Sequence, residues 1–299
     1  MSTFILLTIT GLGLGAMYFL IASGLSLIYG LMGVLNFAHG AFITVGSYTT
    51  WWTSVHVFEG VHSNLWRFVL SALLGLLMGG IFAALVELIL IRPLYARHIE
   101  QVLVTVGLQL AFVALVQGIW GPDPKSFVVP QWLHGTTDVA GAHIPNDRWI
   151  EITVAAIVLV LLQLFLRRTR YGLIIRAGVE NRAMVQALGI DVRKAFTLVF
   201  AVGGVAAALA GVLSGVYFNV VGPDQGTSLL IFAFIVVVIG GLGSIGGSAV
   251  AAVVVALTQQ YTNYYASAGI GDMVVVLLLG VVLLVRPRGF AGAVVGARA

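Results

Sequence analysis

The chain is built from continuous apolar runs, each about 15 to 25 residues long, separated by short polar connections. Wound as α-helices, runs of this length match the hydrocarbon thickness of a bilayer. They are not the ten-residue alternating segments of a membrane β-barrel. Only 9% of the 299 residues are charged, 60% are hydrophobic, and the mean hydropathy is +1.07. A soluble domain carries about 25% charged residues, so this chain has too little polar surface to cover a soluble globule. The fold class expected is all-α: one polytopic transmembrane domain over 1–299 with about eight to ten spans. The 37 glycines suit helices that pack closely in lipid.

The net charge is +4 and the pI about 9.6. The basic residues sit in loops, which the positive-inside rule explains without a nucleic-acid partner. Cysteine is absent, which removes disulfides, thiolate nucleophiles and Cys-bearing metal sites. The N-terminal MSTFILLTIT has no basic n-region, so the first apolar run is expected to stay as a span.

The first span is expected from about Phe4 to Ala22, with Gly11, Gly13 and Gly15 placed for close helix contact. Residues 24–48 are apolar but interrupted by Gly30, Gly33, Asn36, His39 and Gly40. Asn36 and His39 are unfavourable in hydrocarbon unless they face protein or a water-filled path. Gly40 permits irregular backbone, tolerated at that depth only when shielded from lipid. A broken helix lining a cavity is therefore expected. A span over 68–90 carries Gly75 and Gly79, and Glu87 near its end. Arg92, Arg97 and His98 mark an inside loop, and a span over 99–120 contains Gln109 and Gln117.

The acidic balance of 121–149 assigns that loop to the outside, with room for a short hairpin. Spans follow at 150–166 and 195–218, the latter carrying Gly211 and Gly215. A loop at 219–227 lies outside, and a last span over 271–285 precedes Arg286-Pro287-Arg288 inside. Between them, 228–260 holds a second interruption, GGLGSIGG at 240–247, which is compared with 33–40 as a possible internal repeat. Matching interruptions in two halves point to a transporter's midplane site. The candidate path residues are Asn36, His39, Gly40, Gly243 and Ser244.

Several chemistries are excluded. Gly241, Gly243 and Gly246 spell a dinucleotide fingerprint, but they lie between membrane runs with no acidic residue before Asp272. A phosphate loop needs Gly-Lys-Ser/Thr, and Lys125 and Lys194 follow Pro124 and Arg193. The six histidines form no HExxH pair, and no G-x-S-x-G elbow occurs, so no catalytic or metal residue is expected. For His39 two readings stand, a helix-to-helix hydrogen bond and a lining of the path. Glu87 and Gln109 are read either as bundle-facing groups or as transport residues.

The segment 167–195 is the most charged. Arg167, Arg168, Arg170, Arg176, Arg182, Arg193 and Lys194 are seven of the chain's fifteen Lys and Arg. Val179, Ala183, Met184, Ala187 and Leu188 recur at helical spacing, Gly189 offers a stop, and Asp191 an N-cap. One reading is a loop whose charges only set topology. The other is an amphipathic helix that transmits force from a soluble partner.

GLSLIYG at 24–30, LNFAHGAF at 35–42, the central run from Arg176-Ala177 through NRAM (181–184) to ALGI (187–190), AALAGVL at 207–213 and GGLGSIGG at 240–247 carry a resemblance. The chain resembles the permease subunits of bacterial branched-chain amino acid ABC importers, the LivH-like member of the pair. The resemblance implies a multi-pass inner-membrane protein that is not itself an enzyme. It implies a second, LivM-like permease, two ATPase subunits that use ATP and Mg, and a periplasmic or tethered solute-binding protein. This chain would bind no cofactor. The resemblance makes 167–195 a cytoplasmic coupling segment, with Glu180, Arg182, Met184, Leu188 and Gly189 as its contacts. Relatives of the family carry urea, short amides or aromatic carboxylates. The reading from another class is an ATP-independent secondary carrier, which expects a membrane-embedded acid, for which Glu87 alone is a candidate. A membrane enzyme would need clustered acids, bases or ligands that the sequence lacks.

Overall fold

The computed structural model describes residues 2–33, 35–95, 97–180, 184–185, 189 and 192–291. Among these it contains ten helices: α1 (Ser2–Met32), α2 (His39–His56), α3 (Asn64–Val86), α4 (His98–Trp120), α5 (Asn146–Arg168), α6 (Arg170–Glu180), α7 (Val192–Phe218), α8 (Gln225–Gly240), α9 (Ile245–Tyr265) and α10 (Ile270–Val285). Five of them are long and apolar enough to cross a membrane, or six spans if the bent pair α8–α9 counts as one. This is fewer than the eight to ten expected. α2 has 18 residues but is polar, and α10 has only 16, so neither passes as a full span.

α1 and α7 form the centre and run antiparallel. A Cβ on Gly24 would lie 2.7 Å from the Gly203 carbonyl, so only glycine lets the two backbones approach this closely. α3 lies along α7, where Gly79 and Gly204 meet Ala208 and Ala83, and α9 lies along α1, where Gly15 meets Ala252 and Ala256. Gly75 seats α3 on Thr50 of α2, so both expected glycine pairs, 75/79 and 211/215, sit at contacts. α4, α5 and α10 lie outside this core. Their outward residues are large and apolar, with Leu110 64%, Leu161 58% and Leu277 66% exposed. In water such a surface would aggregate; facing lipid tails or another apolar chain it is stable.

One end of the bundle carries a small antiparallel hairpin, β2 (Thr136–Val139) and β3 (Ala142–Pro145). Ala140 and Gly141 both have positive φ (51° and 81°), the turn that a tight hairpin needs. A short pair, β1 (Lys125–Ser126) with β4 (Val220–Val221), ties the same loop to the end of α7. The opposite end gathers Arg92, Arg97, Arg167, Arg168, Arg193, Lys194 and Arg286. The bundle thus has a hairpin end and a basic end.

Both interruptions read from the sequence are present. α1 continues without a break to Met32, and the chain then breaks before α2 starts at His39. At 241–244 the chain bends by 117° between α8 and α9. The two are not equivalents, however. α8 starts beside the start of α2, after a short break at 219–224 that follows α7. The chain path α1, break, α2, α3, α4 is thus repeated in the opposite sense by α7, break, α8, α9, α10. The counterpart of 33–38 is 219–224, not 240–247. The sequence pointed to the glycine-rich turn because 219–224, NVVGPD, shares only one letter in register, a Val, with the first break.

The amphipathic helix expected over 179–188 lies largely outside the described residues, of which 184–185 are helical; upstream of it α6 covers Arg170–Glu180. Thr169 accepts a hydrogen bond from the Gly172 amide at 3.0 Å and starts a new helix directly after α5. Ile175 and Val185 are buried in the main core, so this segment packs on the bundle. Gly189 has φ +77°, the helix-stop conformation expected of it.

Gly211 of α7 faces the Ile43 carbonyl of α2, and an added Cβ would overlap it. Gly211→Ala is expected to destabilise the chain by about 1–3 kcal/mol, through overpacking against backbone that cannot move aside. Thermal unfolding of the detergent-purified protein measures this. An unchanged Tm would mean that α2 and α7 are not in backbone contact there.

Candidate functional site

The starts of α2 and α8 meet inside the bundle. Gly226 packs directly on the Gly40 carbonyl and the Thr44 hydroxyl, a contact that any side chain would block. Gln109 of α4 closes the junction. Its Nε2 donates to Thr227 Oγ1 at 2.8 Å, and a Cβ on Gly40 would lie 2.8 Å from its Oε1. Two helix N-termini therefore share one polar junction, with Gln109 Oε1 left without a partner. Helices that start within the membrane aim their unpaired first amides into the interior.

A cavity of about 590 Å³ opens on the hairpin side of this junction. Tyr18, Phe232, Ser228, Gln259, Asp272 and Tyr217 are among its walls. Tyr18 donates to Gln259 Oε1 (2.8 Å), and Gln259 Nε2 donates to Asp272 Oδ1 (2.6 Å), a polar line from α1 through α9 to α10. Opposite it, Tyr18 stacks on Phe232 with ring centroids 5.2 Å apart. The lining is mostly apolar with a few fixed polar groups, the composition of a small-molecule site. On the basic side of the junction the space between Asn36, Ile28, Gln101 and Phe200 is only about 10 Å³, room for one water at most.

At the basic end α3 loosens into a π-turn, Glu87–Ile91, followed by a 3-10 turn at Arg92–Leu94. Glu87 is fully buried. It accepts hydrogen bonds from Arg92 Nε and Nη2 (each 3.3 Å), Thr197 Oγ1 (2.7 Å) and the Tyr95 hydroxyl. Burial and the adjacent carboxylate hold the Tyr95 phenol above its usual range, so it remains a donor at physiological pH. Because Thr197 follows the basic segment in α7, this network ties the exit of that segment to α3.

Residues 7–285 match the family described as "Branched-chain amino acid transport system / permease component". The chain belongs to this family of transport permeases. It is 29% identical to the high-affinity branched-chain amino acid transport system permease protein LivH of Escherichia coli K12, over 94% of this chain and 93% of that protein. It is 28% identical to the BraD permease protein of Pseudomonas aeruginosa, over 95% and 94%. The LivM permease protein of Escherichia coli K12 is 25% identical over 91% of this chain and 69% of LivM. No solved structure matches the chain.

The candidate residues of this permease separate into three groups. Asn36 and Gly40 lie at the junction. Asn36 accepts from the Ala38 amide (3.1 Å), shaping the start of α2, and its buried Nδ2 has no partner. His39 is fully buried and packs on α1, its Nε2 3.1 Å from the Ile21 carbonyl and its ring edge-on to Phe42. It has the helix-to-helix hydrogen bond of the first reading and lines none of the cavities above. Gly243 and Ser244 lie away from the junction, at the basic end. Gly243 has φ +82° beside Gly30, and Ser244 caps α9 by accepting from the Gly247 amide at 3.1 Å. Residues 290 and 291 cover this turn by donating to the last carbonyls of α8, at Ile239 and Gly240. Of the coupling set, Glu180 ends α6, Met184 is 61% exposed, and Arg182 and Leu188 lie outside the described residues.

Sequence reading missed Tyr18, Gln259 and Asp272, which are far apart in the chain and meet only in the fold. It also missed Glu151, although a carboxylate at the second position of the apolar run from Ile150 was a visible signal.

Glu87 is bundle-facing and ion-paired, as one of its two readings held. Replacing it with alanine strands the Arg92, Tyr95 and Thr197 groups. The expected loss is about 1–3 kcal/mol, moderated because Arg92 is partly solvated and can turn outward. Glu87→Gln should recover part of it by keeping an acceptor. Equal Tm values for wild type, Glu87→Ala and Glu87→Gln would exclude a structural role for the network.

Proposed function

We propose that this chain is one of two homologous permease subunits in an ATP-driven importer of branched-chain amino acids, working by alternating access in the bacterial inner membrane. The observation that carries the reading is the unequal access to the α2–α8 junction. A cavity of about 590 Å³ approaches it from the hairpin end, and a gap of about 10 Å³ faces the basic end. Opening one side while the other stays sealed is the requirement of alternating access.

The excess of Arg and Lys at the basic end supports a cytoplasmic position for it. ATP and Mg would then be handled by two ATPase subunits docked there, since the chain has no phosphate loop. A periplasmic or tethered binding protein would deliver solute at the hairpin end, over 121–149. The similarity of the chain to both LivH and LivM supports a second, related permease as partner. The exposed apolar faces of α4 and α10 are available to it or to lipid.

The path runs from the larger cavity through the junction, past Gly40, Gln109 and Asn36, with His39 holding α2 against α1. Gly243 and Ser244 act as the turn about which α8 and α9 adjust. ATP and solute shift the two arrangements only through their differential affinity for them. The network around Glu87 would pass motion of the segment from Glu180 to Gly189, with Arg182, Met184 and Leu188 at the ATPase contact, into α3 and α7.

Purification from native membranes in mild detergent tests the assembly. The expected result is co-recovery of an ATPase and a second permease. A chain recovered alone that moves solute in liposomes without ATP would instead be a secondary carrier. Within the assembled complex, Met184→Asp and Leu188→Asp should leave the chain inserted but reduce ATP-dependent uptake by about tenfold or more, the effect of losing on the order of 1.4 kcal/mol at the contact. Undiminished uptake in both variants would remove the coupling assignment.

A further inference from the structure

α4 runs from the basic end to the hairpin end at the edge of the bundle, with Leu103 (65% exposed) and Leu110 facing outward. Lipid tails and bundle cores are equally apolar, so a helix in that place has no general need of polar side chains. Yet three of its four buried residues are polar: Gln101, Thr105 and Gln109, beside Val116. A spacing of four puts the three on one face, one above the other, along about 12 Å of the helix axis. Gln109 reaches the junction, where it donates to Thr227. Gln101 Nε2 donates to the Leu94 carbonyl at 2.6 Å, in the 3-10 turn that follows α3. Thr105, between them, donates to the Val102 carbonyl of its own helix, 2.9 Å away. This polar ladder therefore leads from the junction to the basic end.

Gln101 and Thr105 border the gap of about 10 Å³ together with Asn36. The other walls of the gap include three buried apolar side chains, Ile28 of α1, Ile91 of the π-turn and Phe200 of α7. Ile91 and Phe200 each lie one helical turn beyond a member of the network at the basic end. Ile91 follows Glu87, Phe200 follows Thr197, and Thr197 Oγ1 donates to Glu87 at 2.7 Å. A shift of that network would move both side chains. π-turns inside helices are frequent at functional positions. Polar side chains at membrane depth face protein partners or a water-filled path, and apolar constrictions close such paths by excluding water.

We propose that Gln101 and Thr105 line the inner half of the solute path, and that Ile28, Ile91 and Phe200 form its gate. With the gate shut the ladder is sealed, and its hydrogen bonds hold α4 to the start of α8 and to the turn after α3. When the network at Glu87 draws Ile91 and Phe200 apart, water reaches the ladder from the basic end, and solute leaves along α4. The inference rests on the alternating-access reading above and extends it by naming the exit wall and the gate.

The chain has no cysteine, so single-cysteine variants report water access residue by residue. The complex with its partner subunits, in nanodiscs, is treated with a charged methanethiosulfonate, and labelling of this chain is followed by mass spectrometry. Two states are compared, one without nucleotide and one with ATP, Mg and orthovanadate. Thr105→Cys should be labelled at least tenfold faster in one state than in the other, and Ser228→Cys, in the larger cavity, should show the reverse preference. Leu103→Cys, on the outward face, should stay unlabelled in both, and Arg97→Cys, exposed at the basic end, should be labelled in both. Adding Ile91→Ala to Thr105→Cys should expose the thiol in both states. Thr105→Cys unlabelled in both states, with Arg97→Cys reactive, overturns the proposal, and the ladder is then internal packing. Equal labelling of Thr105→Cys in the two states overturns the gate, as does an unchanged rate after Ile91→Ala in complexes that co-purify. Leu103→Cys reacting as fast as Thr105→Cys overturns the exit wall. A wild-type complex that takes up no solute with ATP and binding protein present counts instead against the importer reading, and the labelling still decides whether this face of α4 meets water.

Discussion

In hydrocarbon, every backbone amide and carbonyl must find a partner within the protein. A chain that interrupts its helices inside a membrane therefore needs other helices to shield each break. Here that shield is the crossing of α1 and α7. Gly24 and Gly203 bring the two backbones nearly into contact, and His39 fits against the same stretch of α1 through the Ile21 carbonyl. The starts of α2 and α8 are enclosed by this pair and by each other, with Gly40 against Gly226. Widening the crossing by one side chain would expose both starts. The small residues at the centre thus permit the irregular backbone, and the irregular backbone produces the polar junction.

The class of fold was legible because it follows from bulk quantities. Apolar run length and the scarcity of charge leave no alternative to a helical membrane bundle. The two interruptions were legible because glycine and polar residues inside apolar runs have few structural explanations. Their pairing was not. The repeat is a property of chain path, and NVVGPD at 219–224 has little in common with GVLNFA at 33–38. Of the candidate path residues, Asn36 and Gly40 lie at the junction, while Gly243 and Ser244 form a capped turn at the basic end. The line from Tyr18 through Gln259 to Asp272 joins residues over 250 positions apart, and no local periodicity reports such a contact.

The buried carboxyl groups lie at the two ends of the bundle and fasten α3 and α5 to its central pair. At the basic end Glu87 joins α3 to α7 through Arg92 and Thr197. At the hairpin end Arg148 and Glu151 join α5 to α1, over Gly13, and to Tyr217 of α7. The two networks differ in completeness. Every oxygen of Glu87 is occupied, whereas Asp147 Oδ1 and Arg148 Nε are not. A satisfied buried network rigidifies its surroundings, and a partly satisfied one costs stability.

The same asymmetry appears in the spaces between the helices. Hydrophobic packing alone would fill both sides of the junction equally, because the two halves follow the same path. Instead, Ile28, Ile91 and Phe200 close the basic side, while the hairpin side stays open along Tyr18, Tyr217 and Phe232. Under the alternating access proposed above, two related halves in opposite orientation would exchange these roles by a shift of α2 and α8 against the α1–α7 pair. The larger cavity is lined by Ser228 and Leu229 of α8 and by Leu14 and Tyr18 of α1. Under that proposal, a ligand there would act on the elements whose relative position decides which side is open. Selectivity for the open or closed arrangement then needs only a difference in how well those four side chains fit the ligand in each.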